Sequence, residues 1–132
     1  MAHSNHQGHI EPALEAATAI AARTVVALTT TQDQVAPVAT RNVEPLGITG
    51  DADVEAGRRV VTYGDDNIVK AVAGASFGFG ANIGVASTNG ALGPVAGASG
   101  SVVWRVGTSR EPAAPGEVFS LYVSKRQLSG GA

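Results

Sequence analysis

The chain has 132 residues, a formal net charge of −2 and no cysteine. That length suits one domain able to bury most of the surface its unfolded chain exposes, and the missing thiols exclude a disulfide framework and thiolate zinc sites. Nine basic and eleven acidic side chains are too evenly balanced to make nucleic acid or an anionic membrane the expected partner.

Residues 1–9 are polar and contain all three histidines, His3, His6 and His9, and they read as a flexible tail. No basic run leads into an apolar core, so the start does not read as a secretory signal. The three histidines have no carboxylate or thiolate beside them in the tail, and Gly8 opposes the helix that would gather them, so no metal site is expected. Pro12 disfavours helix at the residue before it, which leaves His9, Ile10 and Glu11 extended. With Leu14 as a further apolar foothold, His9, Ile10, Glu11, Pro12 and Leu14 form a candidate arm that adds a strand to a partner's edge. The competing reading is that they complete the protein's own sheet. Ala13–Ala22 has helical composition, but Leu14 and Ile20, its large apolar residues, are six positions apart. One short helix and an extended segment both remain open there. The apolar stretch Ala13–Leu28 is broken by Glu15, Thr18, Arg23 and Thr24 and does not read as a membrane span.

Beyond it, short β-branched runs follow one another: 24–29, 34–39, 46–49, 59–63 and 67–72, with Pro37 suited to an edge or a bulge. Turn chemistry separates them at Thr49-Gly50-Asp51, Glu55-Ala56-Gly57 and Gly64-Asp65-Asp66-Asn67. Short strands at such spacing predict an all-β fold, a sandwich or barrel, with room for one short helix.

The pattern then repeats. Ala36-Pro37-Val38-Ala39 matches Gly93-Pro94-Val95-Ala96 at an offset of 57, and Gly57 and Tyr63 match Gly116 and Tyr122 at 59. Asn82–Val85 takes the place of Thr24–Leu28, and Val103–Val106 that of Pro45–Ile48. The expected organisation is one β-rich domain over 10–126, built from two similar halves of about 18–72 and 73–126. A flexible C-terminal tail, 127–132, would follow it.

No catalytic constellation is legible. All histidines lie in the tail, and Ser124-Lys125 would point to opposite faces of a strand. Asp51, Asp53 and Glu55 open like a calcium loop, but Ala56 and Thr62 stand where glycine and a bidentate acid are required. The run from Gly78 to Gly84 has the wrong spacing for a phosphate cradle and suits bulges or close subunit contact. Trp104, the one tryptophan, is a candidate core or subunit-interface anchor. The expectation is therefore a protein with no enzymatic activity and no cofactor.

The segments 19–28 (AIAARTVVAL), 35–39 (VAPVA), 44–49 (EPLGIT) and 54–60 (VEAGRRV) resemble the capsid decoration, or cement, proteins of tailed bacteriophages. The second half echoes them through 93–97 (GPVAG) and 113–118 (AAPGEV), so the resemblance spans roughly residues 10–123. It implies a β-tulip-like or related small β fold and no catalytic residues. It also implies a structural virion protein on the outer capsid surface, made in the host cytoplasm, that stabilises the shell by bridging major capsid subunits, often as a homotrimer. A small β-sandwich module binding a glycan or cell-surface ligand is the alternative, and it would call for more exposed aromatics than this chain offers.

Overall fold

A computed structural model describes residues 2, 4–86 and 90–128. Those residues form ten strands and no helix. In chain order the strands are β1 (Ile10–Ala16), β2 (Val25–Leu28), β3 (Gln34–Pro37), β4 (Gly47–Thr49), β5 (Arg59–Tyr63), β6 (Ile68–Val72), β7 (Asn82–Val85), β8 (Leu92–Pro94), β9 (Val103–Ser109) and β10 (Val118–Leu128). The first five close into a barrel in the order β1-β3-β2-β4-β5. The last five form a sheet in the order β6-β10-β9-β7-β8, and the parallel bridge Ala73–Leu92 draws its two edges together at one point.

The two sheets have the same plan. In the first, Val26 pairs with Pro37, Ala27 with Ala36 and Leu28 with Val35. In the second, Ile83 pairs with Pro94, Gly84 with Gly93 and Val85 with Leu92, each 57 residues further on. Val38 N donates to Val25 O and Val95 N donates to Asn82 O, both at 2.9 Å. Residues alternate in the direction of their backbone groups, so Pro37 and Pro94, next to those donors, point their ring nitrogens away from the partner strand. Each proline thus sits where no ladder donor is lost. Gly57 and Gly116 adopt positive φ, 82° and 86°. Their N–H groups donate to Ala16 O and Ala73 O at 2.8 Å, so both turns need a residue tolerant of the left-handed region.

Close approach fixes another glycine pair. A Cβ on Gly47 would lie 2.3 Å from Tyr63 O, and one on Gly107 would lie 2.0 Å from Tyr122 O. Any side chain there would force the neighbouring strand away.

The core positions correspond as well. Leu14, Ala16, Ile20, Val26, Val35 and Val60 fill the first barrel. At offsets of 57, and of 59 for the last, stand Ala71, Ala73, Phe77, Ile83, Leu92 and Phe119. The loss of volume at Ala71 is more than offset by two phenyl rings, Phe77 and Phe119, which meet edge to face with centroids 4.8 Å apart. The closure differs too: β1 and β3 pair through two residues each, whereas among the described residues the corresponding edges of the second sheet meet at the single Ala73–Leu92 bridge, just past β6. The outer face of β2 and β4, carrying Val25, Ala27 and Ile48, is buried in the same apolar cluster as the second sheet, so the halves share one core.

Several expectations need correction. Ile10–Ala16 is neither a helix nor a free arm. It is a strand that closes the first barrel, antiparallel to β5 and parallel to β3. Its alternation puts Leu14 and Ala16 inside and Glu15 outside, with a register shift between Glu11 and Leu14. The repeat accordingly begins at Ile10 and Ile68, not near residues 18 and 73: the pair Ile10–Tyr63 corresponds to Ile68–Tyr122. The segment before Ile10, expected as a flexible tail, is held at described positions. Asn5 and Ile68 exchange backbone bonds of 2.7 and 2.8 Å, His9 N donates to Asp65 O at 3.0 Å, and Gly64 N donates to His9 O at 2.8 Å. At the other end β10 continues through Gln127 and Leu128, which pair with Trp104 and Val103. Residues 129–132 of the expected C-terminal tail lie outside the described residues.

Candidate interaction surface

Asn67 holds the N-terminal segment against the seam between the two halves. It is fully buried, accepts from Gly8 N at 3.0 Å, and donates to His9 O and Gly64 O at 2.7 and 2.9 Å. The His6 ring stacks on Tyr63 with centroids 4.0 Å apart, and His9 Nε2 lies 2.7 Å from Glu11 Oε1. Both described histidines are thus engaged with the protein's own surface, and His3 lies outside the described residues. Among the described residues no group of three His, Asp or Glu side chains is placed to hold a metal ion.

Trp104 is half-buried on β9, with its backbone N–H donated to Arg41 O at 2.8 Å. Asn42 Nδ2 donates to Val102 O at 2.7 Å, so the loop between β3 and β4 is fastened across the start of β9. This loop carries exposed Val43, which with Leu28 (61% exposed), Pro45 and Leu46 lines a shallow groove of about 310 Å³. One side is closed by Lys125 Nζ and Glu44 Oε2 at 2.9 Å, an exposed pair whose contribution is on the order of 0–1 kcal/mol. Val85, the counterpart of Leu28 in the second half, is buried.

The repeat supplies an internal control for which exposed side chains the fold itself does not require. Glu15 and Arg59 face one another on the outer surface of the first barrel. The corresponding pair on the second sheet is Val72–Val118, and both valines are exposed. The loop before β7 differs more sharply. Ser109, buried, donates Oγ–H to Gly78 O at 2.6 Å and accepts from Ala81 N at 2.9 Å, while Gly80 N donates to Ser109 O at 2.8 Å. Thr49 plays the matching part in the first half, accepting from Thr24 N at 3.0 Å. At the loop tip the first half has Ala22, its N–H held by Asp53 Oδ1 at 2.9 Å. The second half has Phe79, 73% exposed between two glycines, with Gly80 at φ 75°. A buried serine thus fixes a loop whose tip presents an aromatic ring to solvent, the preorganised, low-entropy form of an interface anchor.

The electrostatics of this surface are mild. The Arg105 guanidinium donates to Ser124 O, Ser124 Oγ and Asn82 Oδ1, each at 3.1 Å. Burial, then repulsion by Arg126, lowers its pKa, with Asp65 acting in the opposite direction. The Tyr122 phenol donates to Asp66 Oδ1 at 2.7 Å, and that bond raises its pKa.

Of the residues singled out in the sequence, Ile10, Glu11, Pro12 and Leu14 are built into β1, His9 caps its entry, and Trp104 lies on β9 in the other sheet. They do not gather into one site. Phe79, Leu28, Val43 and the Val72–Val118 pair were not legible as surface residues from hydrophobicity alone. The signal that finds Phe79, Leu28 and the Val72–Val118 pair is the comparison of each half with the other.

No protein-family model matches the chain, and no curated protein matches its sequence. Among solved structures, the head fiber gp8.5 N base of bacteriophage phi29 is similar over 88% of this chain and 95% of that one, with a TM-score of 0.66 and 20% sequence identity. The chain has the fold of that phage head fiber base.

Proposed function

We propose that this chain is a structural virion protein that binds the outside of an assembled phage capsid, without enzymatic activity, and stabilises the shell by bridging major capsid subunits. The observation that supports this most is the likeness to a phage head fiber base across nearly the whole of both chains. The apolar side chains that the internal comparison isolates add to it, since a protein that acts by contact needs such anchors. The mechanism is linkage: a protein that binds the assembled shell and not its separated subunits shifts the equilibrium toward the shell. Repetition on a symmetric lattice makes a modest affinity per copy sufficient. On the capsid the protein would act as a homotrimer, each copy contacting its neighbours. The test is to add the purified chain to shells lacking it and to follow shell disassembly on heating. The expected result is saturable binding and a higher disassembly temperature. Binding with no change in disassembly would reduce the role to a passive appendage.

A further inference from the structure

We propose that Phe79 seats in a groove on a second copy of this chain, lined by Ala19, Ile20, Ala21 and Val54 and rimmed by Asp53 and Glu55. The inference deepens the proposed function by naming a self-contact, and rests on that reading only for its setting on a shell. The groove encloses about 510 Å³ at the edge of the first half. Its floor is apolar, and both rim carboxylates are on exposed residues. The opposing element is the Phe79 loop of the second half, which carries an exposed ring with no side chain on either neighbour to obstruct its approach. Next to Ser109, the residue that anchors this loop, stands Arg110, also exposed. An aromatic tip followed by a guanidinium therefore meets an apolar floor rimmed by two carboxylates, and the charges are complementary in sign.

Both elements are open in a single chain, so the contact is between copies. It joins two different surfaces, so it is heterologous and either closes into a ring or continues. A closed ring uses every finger and every groove once. The division of labour fits the repeat: the groove lies beside the first-half tip, where Ala22 is tied to Asp53, while the finger is the second-half tip.

The experiment is sedimentation velocity on the full chain across the micromolar to millimolar range, with melting temperature as a folding control. Phe79→Ala removes an exposed ring, so it should leave the melting temperature unchanged and weaken self-association at least about tenfold. Arg110→Glu and Glu55→Arg should each weaken it, and together recover part of the loss. A wild-type chain that stays monomeric throughout, an undiminished association in Phe79→Ala, or no recovery in the swapped pair would each overturn the contact. Loss of shell binding by Phe79→Ala with self-association intact would assign the ring to the capsid and overturn this inference while the proposed function stands. Self-association through Phe79 by a chain that binds no shell would have the opposite result.

Discussion

Replacing Thr62 with valine removes one hydroxyl from the interior of the first barrel and leaves the shape of the side chain almost unchanged. Thr62 is fully buried and its Oγ1 has no hydrogen-bond partner among the described residues. An unpaired buried hydroxyl costs about 1–3 kcal/mol in lost solvation, and removing it recovers much of that. Thr62 pairs across the strands with Thr49, which is equally buried but whose hydroxyl accepts from Thr24 N at 3.0 Å. The corresponding pair in the second half is Ser109–Leu121, so the repeat itself places an apolar residue at the Thr62 position. Thr62→Val should therefore stabilise by about 1–2 kcal/mol. With an unfolding entropy near 0.28 kcal/mol/K for a chain of 132 residues, that raises the melting temperature by about 4–7 °C. Thr49→Val, the same substitution one strand away, should destabilise by about 1–2 kcal/mol because it orphans the Thr24 N–H. Calorimetry or circular dichroism melts of both variants measure the contrast. A Thr62→Val variant that melts lower than the wild type, or a Thr49→Val variant that melts higher, would refute the assignment of satisfied and unsatisfied hydroxyls.

Three further outcomes follow from the same structure. Asn67→Ala deletes three hydrogen bonds at the seam and should cost about 2–4 kcal/mol, read from denaturant midpoints. A chain beginning at Ala16 lacks nearly all of β1, so it should show no cooperative melt, whereas a free arm would be dispensable. Tyr122 should ionise above the ordinary tyrosine value of about 10, because Asp66 holds its proton. A phenol whose folded pKa is raised contributes stability that is whole below the unfolded value and lost as pH climbs through the folded one. Asp66→Asn should bring the ionisation back down in an ultraviolet titration; Asp66 has φ 71°, which asparagine tolerates.

The parts of the fold that were legible in the sequence are those whose residues have only one use. Gly57 and Gly116 mark turns because the backbone there enters the left-handed region, and Pro37 and Pro94 mark strands whose outward positions need no donor. The β-branched runs between Val25 and Val72 fell where strands formed, to within a residue or two, whereas β9 and β10 run past the segments expected for them. β1 was legible only as the competing reading, a segment that completes the protein's own sheet, because its inward positions include Ala16, whose methyl carries little hydrophobic signal, and because a register shift interrupts its alternation. For the same reason the start of the repeat was misplaced, since Ile10–Ala16 and Ile68–Val72 share almost no side chains and correspond only in their pairing. The N-terminal segment is held largely by backbone bonds and by Asn67, and composition records neither. The surface residues were hidden for a different reason. An exposed Phe79 and a half-buried Phe77, two positions apart, look alike until the fold shows which ring meets Phe119.

Cosedimentation of the full chain with assembled capsid shells lacking it, against the same capsid protein as separated subunits, tests the central claim most directly. The account predicts saturable binding to the shell's outer face and little or none to free subunits. Equal binding to both, or none to the shell, would contradict it.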